Sequence, residues 1–204
     1  MLKFLAVLLA ALAPFMSHAI EEPAYEVKSQ IDEVEIRLYA PYVVAQVTVD
    51  GPAEDAGNKA FPILAGYIFG KNKGERKLEM TAPVTQTPEP VKMAMTAPVT
   101  QAASGERFVV QFVLPRDVTL ETAPEPLDPR VQVRQVLAHS VAAIRYSGRW
   151  TQANYEEHLE KLQTILRRAG ITWSGEPMLS RYNAPFTPWF MRRNEVWLSL
   201  SQTN

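Results

Sequence analysis

The sequence predicts an α+β domain built from antiparallel strands and two helices, and three observations carry that expectation. Short stretches alternate apolar and polar residues with a period of two, the pattern of half-buried strands. Only two stretches change to apolar spacings of three and four, the pattern of a helix with one buried stripe. The order strands, helix, strands occurs twice, which predicts two similar halves and argues against a parallel doubly wound sheet.

In chain order, Tyr25 to Gln30 and Val34 to Tyr39 alternate as strands, and Tyr42 to Val49 ends at the turn Asp50-Gly51-Pro52. Between Ala53 and Phe69, Phe61, Leu64, Ala65 and Ile68 share one helical face, while Gly57 weakens the start and Pro62 predicts a bend or a late first turn. Gly70 closes this helix. The basic run Lys71-Asn72-Lys73-Gly74-Glu75-Arg76-Lys77 then serves either as a solvated turn against the helix dipole or as a cationic rim for a carboxylate-bearing ligand. Met80-Thr81-Ala82-Pro83-Val84-Thr85-Gln86 recurs letter for letter from Met95 to Gln101. Proline suits only the ends or edges of strands, so both copies are expected to open or close neighbouring strands.

Arg107 to Leu114 is a strand among proline-rich loops. Val131 to Val136 and Ser140 to Ser147 form an expected hairpin, with Leu137-Ala138-His139 at its turn. The second helix runs from the candidate N-cap Thr151 to Ala169, stops at Gly170, and carries the stripe Tyr155, Leu159, Leu162, Leu166 and Ala169, widened by Ile165. Met178 to Tyr182 and Glu195 to Leu200 are the last strands, bracketing the loop Asn183 to Arg193.

Of 204 residues, 47% are hydrophobic and 21% charged, with a formal net charge of -1, a balance that fits a globular chain and lacks the basic excess of a nucleic-acid binder. The absence of cysteine removes disulfides, thiolate metal sites and cysteine nucleophiles. Met1-Leu2-Lys3, the apolar run Phe4 to Phe15 and Ser17-His18-Ala19 form the pattern of a secretory signal peptide cleaved after Ala19. The expected organisation is therefore a leader over residues 1–19 and one domain over residues 20–204, periplasmic or secreted, with no stable membrane insertion after cleavage. The run is short for a membrane span, which disfavours the alternative of an uncleaved anchor.

No catalytic signature emerges: there is no Gly-x-Ser-x-Gly elbow, phosphate loop or His-Glu-x-x-His pair. His139 and Ser140 are strand neighbours that point to opposite faces, and Glu33 and Glu35 form a solvated edge. His139 and His158 are the histidines outside the leader and hence the candidate iron ligands, at most one of them used; otherwise they are a turn residue and a helix-surface residue.

Lys71-Asn72-Lys73-Gly74-Glu75 leading into Met80-Thr81-Ala82-Pro83-Val84, with Tyr182-Asn183-Ala184-Pro185 and Arg193-Asn194-Glu195-Val196-Trp197-Leu198, resembles the SOUL haem-binding protein family from about Tyr25 to Leu200. The resemblance implies a distorted antiparallel β-barrel with two helices in two pseudo-symmetric halves, and reversible binding of haem or another tetrapyrrole. It implies a porphyrin placed against the first helix at Asn58, Phe61 and Ala65 and against the later loop at Pro188 and Phe190. Phe61 and Ala65, four apart on one face, offer a flat apolar surface, though the same face also suits packing on the sheet. A histidine proposed as haem ligand in some members corresponds here to Leu38, which has no lone pair for iron. That favours a ligand held by apolar contacts and by propionate partners, for which Lys71, Lys73, Arg192 and Arg193 are the candidates. Non-catalytic storage, transfer or scavenging is the leading expectation. The alternatives are an enzyme that modifies or degrades the pigment, and a module that binds another small molecule or a protein through Trp189 and Phe190.

Overall fold

The computed structural model describes residues 21–88, 107–184 and 186–201, so the expected leader and the second copy of the repeat lie outside the described residues. Its elements are β1 (Tyr25–Ile31), β2 (Val34–Tyr39), β3 (Tyr42–Asp50), α1 (Ala53–Ile68), β4 (Val84–Pro88), β5 (Arg107–Val113), β6 (Gln132–Val136), β7 (His139–Tyr146), α2 (Gln152–Arg168), β8 (Trp173–Arg181) and β9 (Asn194–Leu200). All described strands join one antiparallel sheet in the order β1-β2-β7-β9-β8-β4-β5-β3-β6.

The two expected halves are visible in the pairing. In one, β3 is followed by α1 and then by β4 and β5, with β5 paired to both β3 and β4. In the other, β7 is followed by α2 and then by β8 and β9, with β9 paired to both β7 and β8. The halves meet where β4 pairs β8, with Thr85 opposite Ser180.

The expected hairpin between the strands flanking Leu137 does not form. Gln132–Val136 pairs with β3 and His139–Tyr146 pairs with β2, so consecutive strands belong to different halves. Tyr39 opposes His139 and Tyr42 opposes Val136, which makes β2–β3 and β6–β7 one long antiparallel ladder interrupted at Ala40-Pro41 and Leu137-Ala138. The alternation that marks a strand says nothing about which neighbour it takes, and here the partner is distant in sequence. No ladder joins the edges β1 and β6, so the expected barrel is an open curled sheet whose ends are linked through these continuous chains.

Alternation then sorts side chains into three cores. Val43, Ala45, Val47 and Val49 of β3 and Phe108, Val110 and Phe112 of β5 face Ala56, Ala60 and Leu64 of α1. Val196 and Leu198 of β9 and Ala142 and Ile144 of β7 face Leu162, Ile165 and Leu166 of α2. Each buried Val, Leu, Ile or Phe among them contributes about 1.5–3 kcal/mol relative to exposure. On the other face Tyr39, Val141, Ala143, Tyr182 and Trp197 form a third, aromatic cluster.

Helix α2 begins at its expected cap, and both helices close on glycine. Thr151 accepts a hydrogen bond from the Asn154 N–H at 3.3 Å and Gly170 takes a positive φ of 68°. Helix α1 runs through Pro62 without ending, at the cost of one backbone hydrogen bond.

Candidate functional site: a cleft between the helix starts

Over the junction of the halves, α1 and α2 present their N-terminal turns to each other across a cleft of about 480 Å³. Pro52, Ala53 and Glu54 line one side and Trp150, Thr151, Gln152 and Tyr155 the other, while the strands contribute Gln86, Phe108, Tyr146, Leu179 and Arg181. Such a size falls within the roughly 300–1,000 Å³ usual for small-molecule sites. Burial pushes the Tyr146 phenol well up and the Tyr155 phenol up to about 12, so both rings are neutral walls.

Arg181 is the unusual member of this lining. Leu179, two residues earlier on β8, packs in the α2 core, so Arg181 is aimed at the same helix-covered face. Its guanidinium stacks over Trp150 at 4.8 Å, and its Nε is buried without a hydrogen-bond partner. Among the described residues no carboxylate forms an ion pair with it, and burial pulls it below the ordinary arginine value. Beside it the Gln86 amide donates from Nε2 to the Ala53 carbonyl at 2.8 Å, which fixes its orientation and leaves Oε1 buried with no partner. Gly57 makes room for both: a Cβ there would lie 2.7 Å from Arg181 Nη1 and 3.7 Å from Gln86 Oε1. One donor and one acceptor are thus held ready in an aromatic cleft, each with an unfilled hydrogen bond that costs stability.

None of the residues expected from the sequence lines this cleft. Asn58 is exposed on α1, Phe61 meets Phe112 edge-on at 5.6 Å on the flank of the α1 core, and Ala65 is buried. Pro188 and Phe190 lie in the loop before β9, where Phe190 packs edge-on against Trp189. A chain of contacts joins the two groups, from Gly57 to Arg181, from Arg181 to Trp150, and from Trp150 to Arg192, whose guanidinium lies 4.1 Å above the indole. Of the basic candidates, Lys71 is exposed beyond the far end of α1 and Lys73 pairs with Glu125 at 2.6 Å. The motif around them holds the backbone in place. Asn72 is buried, donates to the Tyr67 and Arg76 carbonyls and accepts from the Arg76 N–H, clamping the helix end.

Arg193 faces the opposite side of the sheet, paired with Glu195 and with Glu22. Glu195 is fully buried and accepts from Arg37 Nη1 at 2.6 Å, Trp197 Nε1 at 2.7 Å, Tyr182 OH at 2.9 Å and Arg193 Nε at 3.0 Å. Burial alone would push this carboxyl up; the Arg37 hydrogen bond and charge, with Arg193 and Trp197, outweigh it and hold the group below its ordinary value.

Each candidate iron ligand has a stacked ring and a carbonyl partner. His139 stacks on Tyr39 at 5.6 Å and donates from Nδ1 to the Leu137 carbonyl, on the face opposite the helices. His158 stacks on the cleft residue Tyr146 at 4.2 Å and donates from Nδ1 to the Asn154 carbonyl. Because a carbonyl only accepts, both imidazoles keep their proton on Nδ1, and Nε2 carries the lone pair when the ring is neutral. Neither histidine lines the cleft. The lining that sequence reading missed is Gln86, Tyr146, Trp150 and Arg181. Only Arg181 carried a signal, a charge at an inward position of an alternating strand.

The EcmrR C-terminal domain shares this fold, with a TM-score of 0.62 at 10% identity over 88% of this chain and 99% of that one. Human heme-binding protein 2 is 28% identical over 89% of this chain and 87% of its own length, and mouse heme-binding protein 1 is 27% identical over 77% of each. The model of the SOUL heme-binding protein family matches residues 20–199, and the chain belongs to that family.

Proposed function

We propose that this protein binds haem or a related tetrapyrrole reversibly in the cleft between the helix starts, for storage, transfer or scavenging rather than turnover. The observation that carries the reading is Arg181, whose buried Nε lacks a partner in a cleft walled by Phe108, Tyr146, Trp150 and Tyr155. A tetrapyrrole such as haem is a flat apolar ring with carboxylate arms, so the aromatic walls fit its body and the guanidinium fits one arm. The leader expected over residues 1–19 adds export to the proposal, and a mature chain beginning at Ile20 is its check.

Titration of hemin into the protein, followed at the Soret band, tests the reading. A saturable shift is expected, weaker for hemin dimethyl ester, whose arms carry no charge. An unsaturable spectrum with both pigments would overturn binding, and equal affinity for both would overturn the role of Arg181. A complex that keeps its spectrum under oxygen and a reductant fits carriage, whereas bleaching to an open-chain product would replace it by turnover.

A further inference from the structure

The loop before β9 leaves four large apolar side chains to solvent: Phe186 is 89% exposed, Met191 66%, Phe190 61% and Trp189 50%. Their display is built into the backbone. The Gly148 N–H donates to the Trp189 carbonyl at 3.0 Å, the Met191 N–H to Pro188 at 2.9 Å, and Arg192 Nε to Thr187 at 2.8 Å. Trp189 and Phe190 meet edge-to-face at 5.6 Å, so the tip is a fixed convex aromatic knob.

Its surroundings are cationic. Arg149 approaches the Trp189 ring at 6.0 Å and Arg192 follows Met191 directly. No Asp or Glu occurs from Leu137 to Tyr155 or from Pro177 to Asn194, the segments that carry Arg149 and the loop, and across the cleft from them Glu54 of α1 shares the lining with Trp150. Arg193 is neutralised by Glu195 and Glu22 on the other face, whereas Arg149 lies over the Trp189 ring and Arg192 over the Trp150 ring.

We infer that this knob docks on an anionic lipid surface. Aromatic side chains, tryptophan above all, settle at the boundary between headgroups and acyl chains, and flanking arginines meet lipid phosphates. A convex tip with a cationic collar suits that layer better than it suits a pocket on a protein. Docking there also sets Trp150, which stacks on Arg192 and lines the cleft, beside the bilayer. The inference does not require that the cleft take a tetrapyrrole.

The chain has no cysteine, so a single introduced one can be labelled cleanly. Full-length protein carrying Phe190→Cys, labelled with a polarity-sensitive fluorophore, is mixed with phosphatidylcholine vesicles containing phosphatidylglycerol, beside an Arg134→Cys control on exposed β6. A blue shift is expected at position 190 and not at 134, falling as salt is raised. Adding Phe186→Ser and Trp189→Ser to the labelled chain should weaken it at least tenfold; these side chains are exposed, so folding is not at stake, and circular dichroism verifies that. Vesicle binding without a shift at position 190 would place membrane contact elsewhere, for instance in the apolar N-terminal run, and would overturn the inference. So would a shift without vesicles that grows with protein concentration, which would mark the knob as a contact between copies of the chain.

Discussion

Glu195 and Arg181 sit in successive pairs of one ladder, Ser180 opposite Glu195 and Arg181 opposite Asn194, yet the two charges end in opposite conditions. Glu195 points away from the helices and is saturated by Arg37, Arg193, Tyr182 and Trp197. Arg181 points toward them and keeps an unfilled donor in a cleft open to ligands. A charge surrounded by its own side chains holds a structure in one arrangement, whereas one left short of partners is held for something that arrives. On the proposed function, the two faces of one sheet thus separate stability from binding.

The largest expected effect comes from breaking the saturated side. Glu195→Gln removes the charge that compensates buried Arg37, and loss of one partner of a buried pair costs about 3–5 kcal/mol, measured by denaturant unfolding. The native carboxyl is held below its ordinary value of 4.5, so its stabilisation is present above that pH and lost as pH falls through the native value. The parent should therefore lose stability on acidification more steeply than the variant. Equal slopes would mean that folding leaves the Glu195 carboxyl unshifted, and a shallower slope for the parent that the carboxyl is protonated in the folded protein.

Breaking the other side should act on binding instead. Arg181→Met deletes a partly buried cation that has no ion pair among the described residues, so stability should stay level or rise. Losing a charged hydrogen bond worth about 1.5–3 kcal/mol raises the dissociation constant for hemin roughly ten- to hundredfold, and the preference for hemin over its dimethyl ester should vanish. A large fall in stability would make Arg181 a structural residue and remove the contrast with Glu195.

Local physics makes most elements legible in the sequence. Val34–Tyr39 occupies its expected span, and Thr151 and Gly170 bound the second helix as their side-chain chemistry dictates. What local patterns cannot carry is partner choice, and so the strands either side of Leu137 look like a hairpin although each pairs across the molecule. The cleft is hidden for a related reason: its walls come from α1, β4, β5, β7, β8 and α2, and only folding brings Gln86, Trp150 and Arg181 to one place. Motif residues mislead in the other direction, since Asn72 and Glu195 are distinctive because they satisfy buried backbone and charge.

The smallest effect sharpens the comparison most, because it moves Arg181 without removing it. Gly57 lies inside α1, where alanine is favoured over glycine by about 0.5–1 kcal/mol, and its φ is not among the positive ones that would forbid a side chain. The new methyl would sit 2.7 Å from Arg181 Nη1, the end of a flexible side chain, so the guanidinium must shift while the backbone stays. Gly57→Ala should raise the melting temperature by about 2–4 °C at most and weaken hemin a few-fold, leaving the dimethyl ester unaffected. Stability and affinity moving in opposite directions would show that the empty space at Gly57 is kept for the position of Arg181. If both improved together, that space would serve neither the guanidinium nor its ligand.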